Sequence, residues 1–290
     1  MNALERFLQF QHKTFGDAAA LYLAEFDGKC KSRQVHALDK VLPYVAEVKL
    51  IEFEDSALDA YRESRLQSAM AGTVNKEIST VVTILNKAAK HWRWIPYPPH
   101  ISTVTGPCKR AYPLSWEEQA KLLYRLTPRL RRICEFVLNT GVTRAELFSL
   151  RWEDGREKDG VEYYVLKSSY HGRHRPVVLN TVSREILDQL DSEQSEFLFP
   201  QISLNKTLRD AWIKAGLPNN HLVKKGLDNL RVTYGVRLKG AGATDDEYDY
   251  LMGRQYRKLS KSNSVIDLRR LEELAEGITK VSEPDLGIFV

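Results

Sequence analysis

One apolar stripe runs unbroken from Thr73 to Pro96. Val74, Ile78, Val81, Val82, Leu85, Ala89, Trp92 and Ile95 recur at helical spacing for about six turns. A helix this long with one wet and one dry face is stable only when other elements cover the dry face. The stripe therefore demands a helical partner layer. Thr73 reads as its N-cap, and Pro96 as its stop, because the residue before proline is pushed out of the α region. Leu38, Val41, Leu42 and Val45 form a second amphipathic helix, and helical patterns around 16–27 and 55–69 complete a four-helix bundle.

The texture then changes. PYPPHISTVTGPCKRAYP, residues 96–113, is rich in Pro, Gly and Thr and has no period, so it reads as an extended linker. A second domain opens at Ser115, where SWEE is a capping box: the Ser115 hydroxyl and the Glu118 carboxylate satisfy each other's backbone donors. Leu130, Ile133, Cys134 and Val137 mark the next helix. VEYYVLK (161–167), a polar turn SSYHGRHR and PVVL (176–179) read as strand, turn and strand. Helical patterns resume at 182–190, 204–215, 226–239, 244–253 and about 264–276. The glycine-rich GAGAT (240–244) follows a helix and reads as a turn between helices, not a nucleotide loop. The expected class is α+β: mostly α with a small β-sheet. The expected organisation is a helical domain over 1–96, a linker over 97–113, a mixed domain over 114–280 and a tail over 281–290.

No stretch approaches the ~18–20 consecutive apolar residues of a membrane span, so no membrane partner is expected. MNALERFLQFQHKTF lacks the apolar run and small-residue site of a secretory signal. Cys30, Cys108 and Cys134 are far apart and odd in number. They form neither a disulfide framework nor a CxxC metal pair, which points to a reducing compartment, with cytoplasm as the default. Cys134, on an apolar helical face, reads as a small core residue. His12, His36, His91, His100 and His221 have no metal-ligand spacing, so no metal and no other cofactor is expected. The net charge of +5 and pI near 8.9 suit a nucleic-acid partner without requiring one.

Four ordered segments resemble the tyrosine recombinase (phage integrase) family. LNTGVTRAELFSLRWED (138–154) is similar to its TGxRxxEL…L.W.D box. The hairpin ending in Lys167 and followed by RPVVL is similar to its lysine-bearing hairpin. LDNLRVTYGVRLKGAGATDDEYDYLMGR (227–254) is similar to its HxLRHTFA…AG…LLGH stretch, with the spacing from Ala241-Gly242 to Leu251-Met252-Gly253 kept. GTVNKEISTVVTILNKAAKHWRWI resembles a helix of its core-binding domain. The match covers roughly residues 15–280. It implies a helical core-binding (SAM-like) bundle and a catalytic-type domain that clamp duplex DNA between them.

In that family a Tyr hydroxyl attacks a DNA phosphodiester, arginines and histidines stabilise the pentavalent phosphorus, and a Lys protonates the leaving oxygen. Phosphoryl transfer is mostly positioning plus cationic stabilisation, so each group matters. Carried over by position, the first arginine falls on Thr143 and the lysine on Lys167. The first histidine falls on Asp228 and its arginine on Arg231. The second histidine falls on Arg254, and the nucleophile on Asn263. Only Lys167 and Arg231 match, and an amide at the nucleophile's place removes the covalent route. Arg144 and Tyr256 are candidates for compensation; Tyr248 and Tyr250 sit in a helical pattern and read as core or surface. Asp228 is expected to pair with Arg231 or Arg254 in a centre that stays positive.

The resemblance thus implies a sequence-specific DNA-binding protein without strand cleavage, a repressor or accessory factor of a mobile element, self-associating on DNA as a dimer or tetramer. Two alternatives stand beside it: an active recombinase with a rearranged centre, and an interaction protein that hetero-oligomerises with an active tyrosine recombinase. Candidate DNA contacts are Thr73, Asn75 and Lys76 at the long helix's start and Lys109 and Arg110 in the linker. Arg144, Lys167, His171, Arg173, His174, Arg175, Lys224, Lys225, Arg231, Arg254 and Arg257 follow in the second domain. The apolar end, DLGIFV, reads as a frayed tail or a segment docked on a neighbouring protomer.

Overall fold

The computed structural model describes residues 10–28, 30–167, 174–190, 195–254 and 267–281, with the side chains of Lys167 and His174 left out. The chain divides into two compact units, Met1–Cys108 and Lys109–Val290, at a point inside the stretch read as a linker.

In the first unit, α1 (Phe15–Glu25), α2 (Lys31–Val45), α3 (Asp59–Leu66) and α4 (Ala71–Lys90) form the bundle. A Thr14/Asp17 capping box opens α1. The predicted stripe supplies the centre: Val74, Ile78, Val81 and Leu85, joined by Ile84 from outside it, pack with Phe15, Leu38, Val41 and Tyr61. Two boundaries of the long helix differ from the sequence reading. It starts at Ala71, with Met70 as its cap in place of Thr73, and it stops at Lys90, before Pro96. Arg93 takes a left-handed φ of 57°, which folds the chain back. Trp92 then reaches the Glu25 carboxylate, and Ile95 is buried. Burial of these apolar groups outweighs the bonds of one more turn. Inside the bundle the buried Glu77 carboxylate accepts from both Arg65 nitrogens at 2.9 Å and from the Tyr61 hydroxyl.

Most of the stretch 97–113 is anchored. The Ser102 backbone N–H donates to Asp55, and Asn75 closes a two-way amide pair with the Val104 backbone, 2.8 Å each way. On the second unit, Arg110 exchanges backbone bonds with Leu222 and Lys224.

The second unit comprises α5 (Trp116–Tyr124), α6 (Pro128–Thr140) and α7 (Arg144–Leu147). A three-stranded antiparallel sheet follows, β1 (Gly155–Lys158), β2 (Val161–Lys167) and β3 (His174–Val178) in that spatial order. Then come α8 (Thr181–Asp188), α9 (Asn205–Lys214), α10 (Leu227–Gly240), α11 (Asp245–Leu251) and α12 (Leu268–Gly277). The Ser115 capping box is present, and a Thr244/Glu247 box opens α11 directly after the GAGAT turn. The strand β1 and the short α7 were not anticipated; β1 is four residues of mostly charged sequence, GREK, with no apolar alternation to betray it. The strand β3 is buried on both faces, whereas β1 is largely exposed. Tyr164, Leu166, Val177 and Leu179 join the main core around Phe136 and Trp212. Val161 and Val178 face a second cluster of Tyr234, Leu238, Leu251 and Leu274. Cys134 lies in the main core, as expected.

Gly141 ends α6 at φ 61°, and a Cβ there would stand 2.2 Å from the buried Tyr234 ring. Gly160 has φ 81° but open space around it. Gly141→Ala is expected to cost roughly 2–4 kcal/mol in urea unfolding, through conformational strain plus overpacking, and Gly160→Ala about 1 kcal/mol through strain alone. Equal losses would mean that the Tyr234 contact does not limit the turn.

Candidate nucleic-acid interface

The short helix α7 exists because Thr143 and Glu146 cap it mutually: the Thr143 N–H donates to Glu146 Oε2 at 2.7 Å, and the Glu146 N–H to the Thr143 hydroxyl at 3.3 Å. That box delivers the Glu146 carboxylate to β3. Arg175 pairs with Leu166 across β2 and β3, and its residue is only 5 % exposed. Its Nε and Nη2 hold the two Glu146 oxygens at 3.0 and 2.7 Å, a bidentate fork, and its Nη1 donates to the Leu251 carbonyl at 2.5 Å. Arg231, on α10, approaches the same carboxylate at 3.6 Å and donates to the carbonyls of Gly141 and Met252. Two arginines and one glutamate thus pin the end of α6 and the end of α11 together.

The titration of this cluster follows from its burial. Burial pushes the Glu146 carboxyl up, but the hydrogen bond and charge of Arg175, the Thr143 N–H and Arg231 outweigh it and hold the pKa down at about 2. Burial, with Arg175 alongside, lowers Arg231 to about 10, still charged at neutral pH.

A second feature lies beside it. A groove of about 560 Å³ is lined by Lys109, Arg144, Arg209, Lys224 and Lys225, with Asn205, Asn220, His221 and Asp228. Arg144 leans over the Phe148 ring, 5.7 Å from its centroid, and donates to Asn205 Oδ1 at 2.8 Å and to the Ile202 carbonyl at 3.3 Å. Its guanidinium is therefore aimed into the groove and not at Glu146. Asp228, in the first turn of α10, pairs with Lys224 at 3.6 Å, and its side chain is 74 % exposed.

By sequence, no protein-family model matches the chain and no curated protein does. Solved structures do. A lambda integrase dimer bound to a COC′ core site is similar over 91 % of this chain and 83 % of its own, at 15 % identity and a TM-score of 0.67. The Tn1549 transposon integrase in complex with circular intermediate DNA is similar over 89 % and 98 %, at 14 % identity and 0.63. The XerH site-specific recombinase bound to difH substrate is similar over 84 % and 73 %, at 14 % identity and 0.52.

The chain has the tyrosine recombinase fold.

Placed in that fold, the expected residues separate into three groups. Thr143 is a helix cap, and Arg231 is in the buried cluster. Lys167 ends β2 opposite His174. Arg254 is exposed and stands 5.0 Å from the Tyr248 ring centroid. Tyr256, Arg257, Asn263, His171 and Arg173 lie outside the described residues.

Several expectations change. Asp228 does not pair with Arg231 or Arg254: its partner is Lys224 and it faces the groove, while the acid at the centre is Glu146. Arg175 is no surface cation, because its three donor nitrogens are held inside the protein. Asn75 is occupied by the Val104 backbone, whereas Thr73 and Lys76 are exposed on α4. Among the described residues, no cluster of His, Cys, Asp or Glu could hold a metal ion, and no helix is long and apolar enough to cross a membrane. The sequence reading passed over Glu146, though it stands inside the RAEL segment, and over Asn205 and Arg209 at the start of α9. Glu146 had a signal: a Thr-x-x-Glu capping box beside the segment's arginine.

Because the folded pKa of Glu146 lies below its unfolded value, its stabilisation is complete above about pH 4.5 and falls away as pH drops toward 2. The shift corresponds to roughly 3 kcal/mol. Acid unfolding of the wild type should show this loss, and Glu146→Gln should lack it. At pH 7 the same variant should lose about 3–5 kcal/mol in urea, because two buried guanidinium groups lose their counter-charge. A variant as stable as the wild type would show that the carbonyls alone hold the arginines.

Proposed function

We propose that this protein is a sequence-specific duplex-DNA-binding protein with the integrase architecture that holds DNA without cutting it, as a repressor or accessory factor of a mobile element. The observation that carries the proposal is a division of labour among its cations. Lys109, Arg144, Arg209, Lys224 and Lys225 line an open groove, while Arg175 and Arg231 are turned inward onto Glu146 and main-chain carbonyls. Groove cations that neutralise phosphates release counterions and so provide affinity. Inward arginines cannot also stabilise a pentavalent phosphorus unless they let go of the chain ends they pin.

Three further points support the reading. Thr143 supplies a cap where the resemblance implies an arginine, Asp228 a carboxylate where it implies a histidine, and Asn263 an amide where it implies the nucleophile. The lambda integrase structures hold DNA as dimers and tetramers, and self-association on DNA is proposed here by that analogy. Exposed Thr73 and Lys76 on the first unit are proposed as additional backbone contacts.

The test is retention of labelled duplex fragments from the protein's own replicon, run with and without SDS. Retardation that SDS abolishes is the expected result. A band that survives SDS reports a covalent phosphotyrosyl link and makes Tyr256 the candidate nucleophile, to be checked as Tyr256→Phe. Within the same assay, Lys224→Ala/Lys225→Ala should weaken binding to all sequences and flatten the plot of log affinity against log salt by roughly 1–2 units.

A further inference from the structure

The groove carries one discordant charge. Its described lining holds five lysines and arginines and a single acid, Asp228. That carboxylate stands in the first turn of α10, a helix of fourteen residues with Gly226 at its N-cap, which contributes no capping side chain. An uncapped helix start beside a cluster of cations favours an anion, and a DNA phosphate is the anion at hand if the groove binds DNA. Asp228 already brings a negative charge there. It is held loosely: Lys224 is 3.6 Å away, and both side chains are open to solvent, so the pair leaves most of the carboxylate's field uncancelled. Asp228 also stands three residues before Arg231, on the same side of α10.

We propose that Asp228 is an electrostatic guard: it keeps a backbone phosphate off the start of α10, so that the duplex is held by the cations around the groove and not at its centre. The proposal rests on the reading of the groove as a DNA-binding surface and adds a direction to it. Removing an acid that merely decorates the surface changes little. Removing a guard opens a phosphate seat at a helix start flanked by Lys224 and Lys225. Like-charge repulsion at one point of an otherwise attractive surface also fixes register, because a duplex that slides until a phosphate faces the carboxylate is penalised.

The experiment measures retardation of one replicon duplex by full-length wild type, Asp228→Asn and Glu157→Gln across a series of salt concentrations. Glu157 is an exposed acid on β1 that does not line the groove, so its variant makes the same charge change elsewhere. Asp228→Asn should bind roughly tenfold tighter at low salt. Its slope of log affinity against log salt should steepen by about 0.9, the signature of one more phosphate neutralised. Glu157→Gln should match the wild type in slope. Asp228→Ser, which also removes the charge but keeps a helix-start residue, should behave as the Asn variant does. Unchanged slopes, or weaker binding by both Asp228 variants, would overturn the guard and leave the groove reading intact. Weaker binding by the Asn variant on this duplex alone would instead make Asp228 an acceptor for a base amino group. If neither wild type nor variant retards any duplex, the groove reading and the guard fail together.

Discussion

The Glu146 carboxylate is the point on which the second unit turns. Its oxygens accept from the Thr143 N–H and from both arms of the Arg175 fork, with Arg231 at 3.6 Å. The three elements so joined, α7, β3 and α10, come from chain positions nearly ninety residues apart, and each arginine carries the link onward to a carbonyl at the end of α6 or α11. The turn at Gly253 depends on the same arrangement: a Cβ there would lie 2.5 Å from Arg175 Cδ. A buried ion cluster is poor evidence of net stability, since desolvating three charges offsets much of the attraction. Its consequence is geometric. Helix ends that would otherwise present unsatisfied carbonyls are closed by guanidinium donors, and the chain leading to Arg254 leaves the core in one direction.

That geometry separates the arginines by role in a way their sequence positions do not. Arg144 and Arg175 are both near residues that the resemblance marks as catalytic, and both are equally basic on paper. One lies over Phe148 with its guanidinium turned to a solvent-filled groove; the other is among the most buried charges of the unit. The difference comes from backbone placement. Arg144 opens a one-turn helix and is exposed there. Arg175 sits in a strand covered on both faces, with the same parity as Val177 and Leu179, which are core.

Much of the fold was legible because it rests on period. The α4 stripe, the capping box at Ser115, the strands β2 and β3 and the helices after them all show apolar spacing or cap chemistry that a linear reading detects. What escaped has no period. The strand β1 is mostly charged and exists by pairing with β2. The long helix ends where Arg93 turns left-handed so that Trp92 and Ile95 can bury, a tertiary preference that no local rule about Pro96 contains. Within the stretch read as a linker, Ser102, Val104 and Arg110 look unstructured in sequence because their partners, Asp55, Asn75 and Leu222, are distant in it.

The site was half legible for the same physical cause. A resemblance by position names the residues standing where chemistry would occur, and it drew attention to Thr143, Asp228 and Arg231. It cannot say what those residues do once their neighbours differ. Thr143 caps α7, and the Glu146 carboxylate that the box presents is held by Arg175 from the hairpin. Asp228 gives the start of α10 a negative charge that pairs with Lys224. Glu146, Arg175 and Arg231 thus form a cluster that closes on itself. For Arg231 to serve a phosphate, it would have to release the Gly141 and Met252 carbonyls, and two helix ends would lose their closure at the moment the ligand arrived. In the groove Arg144 is held by Asn205 and Ile202 and Lys224 by Asp228, but these contacts are exposed and close no helix end, so an anion bound there displaces mainly water and counterions.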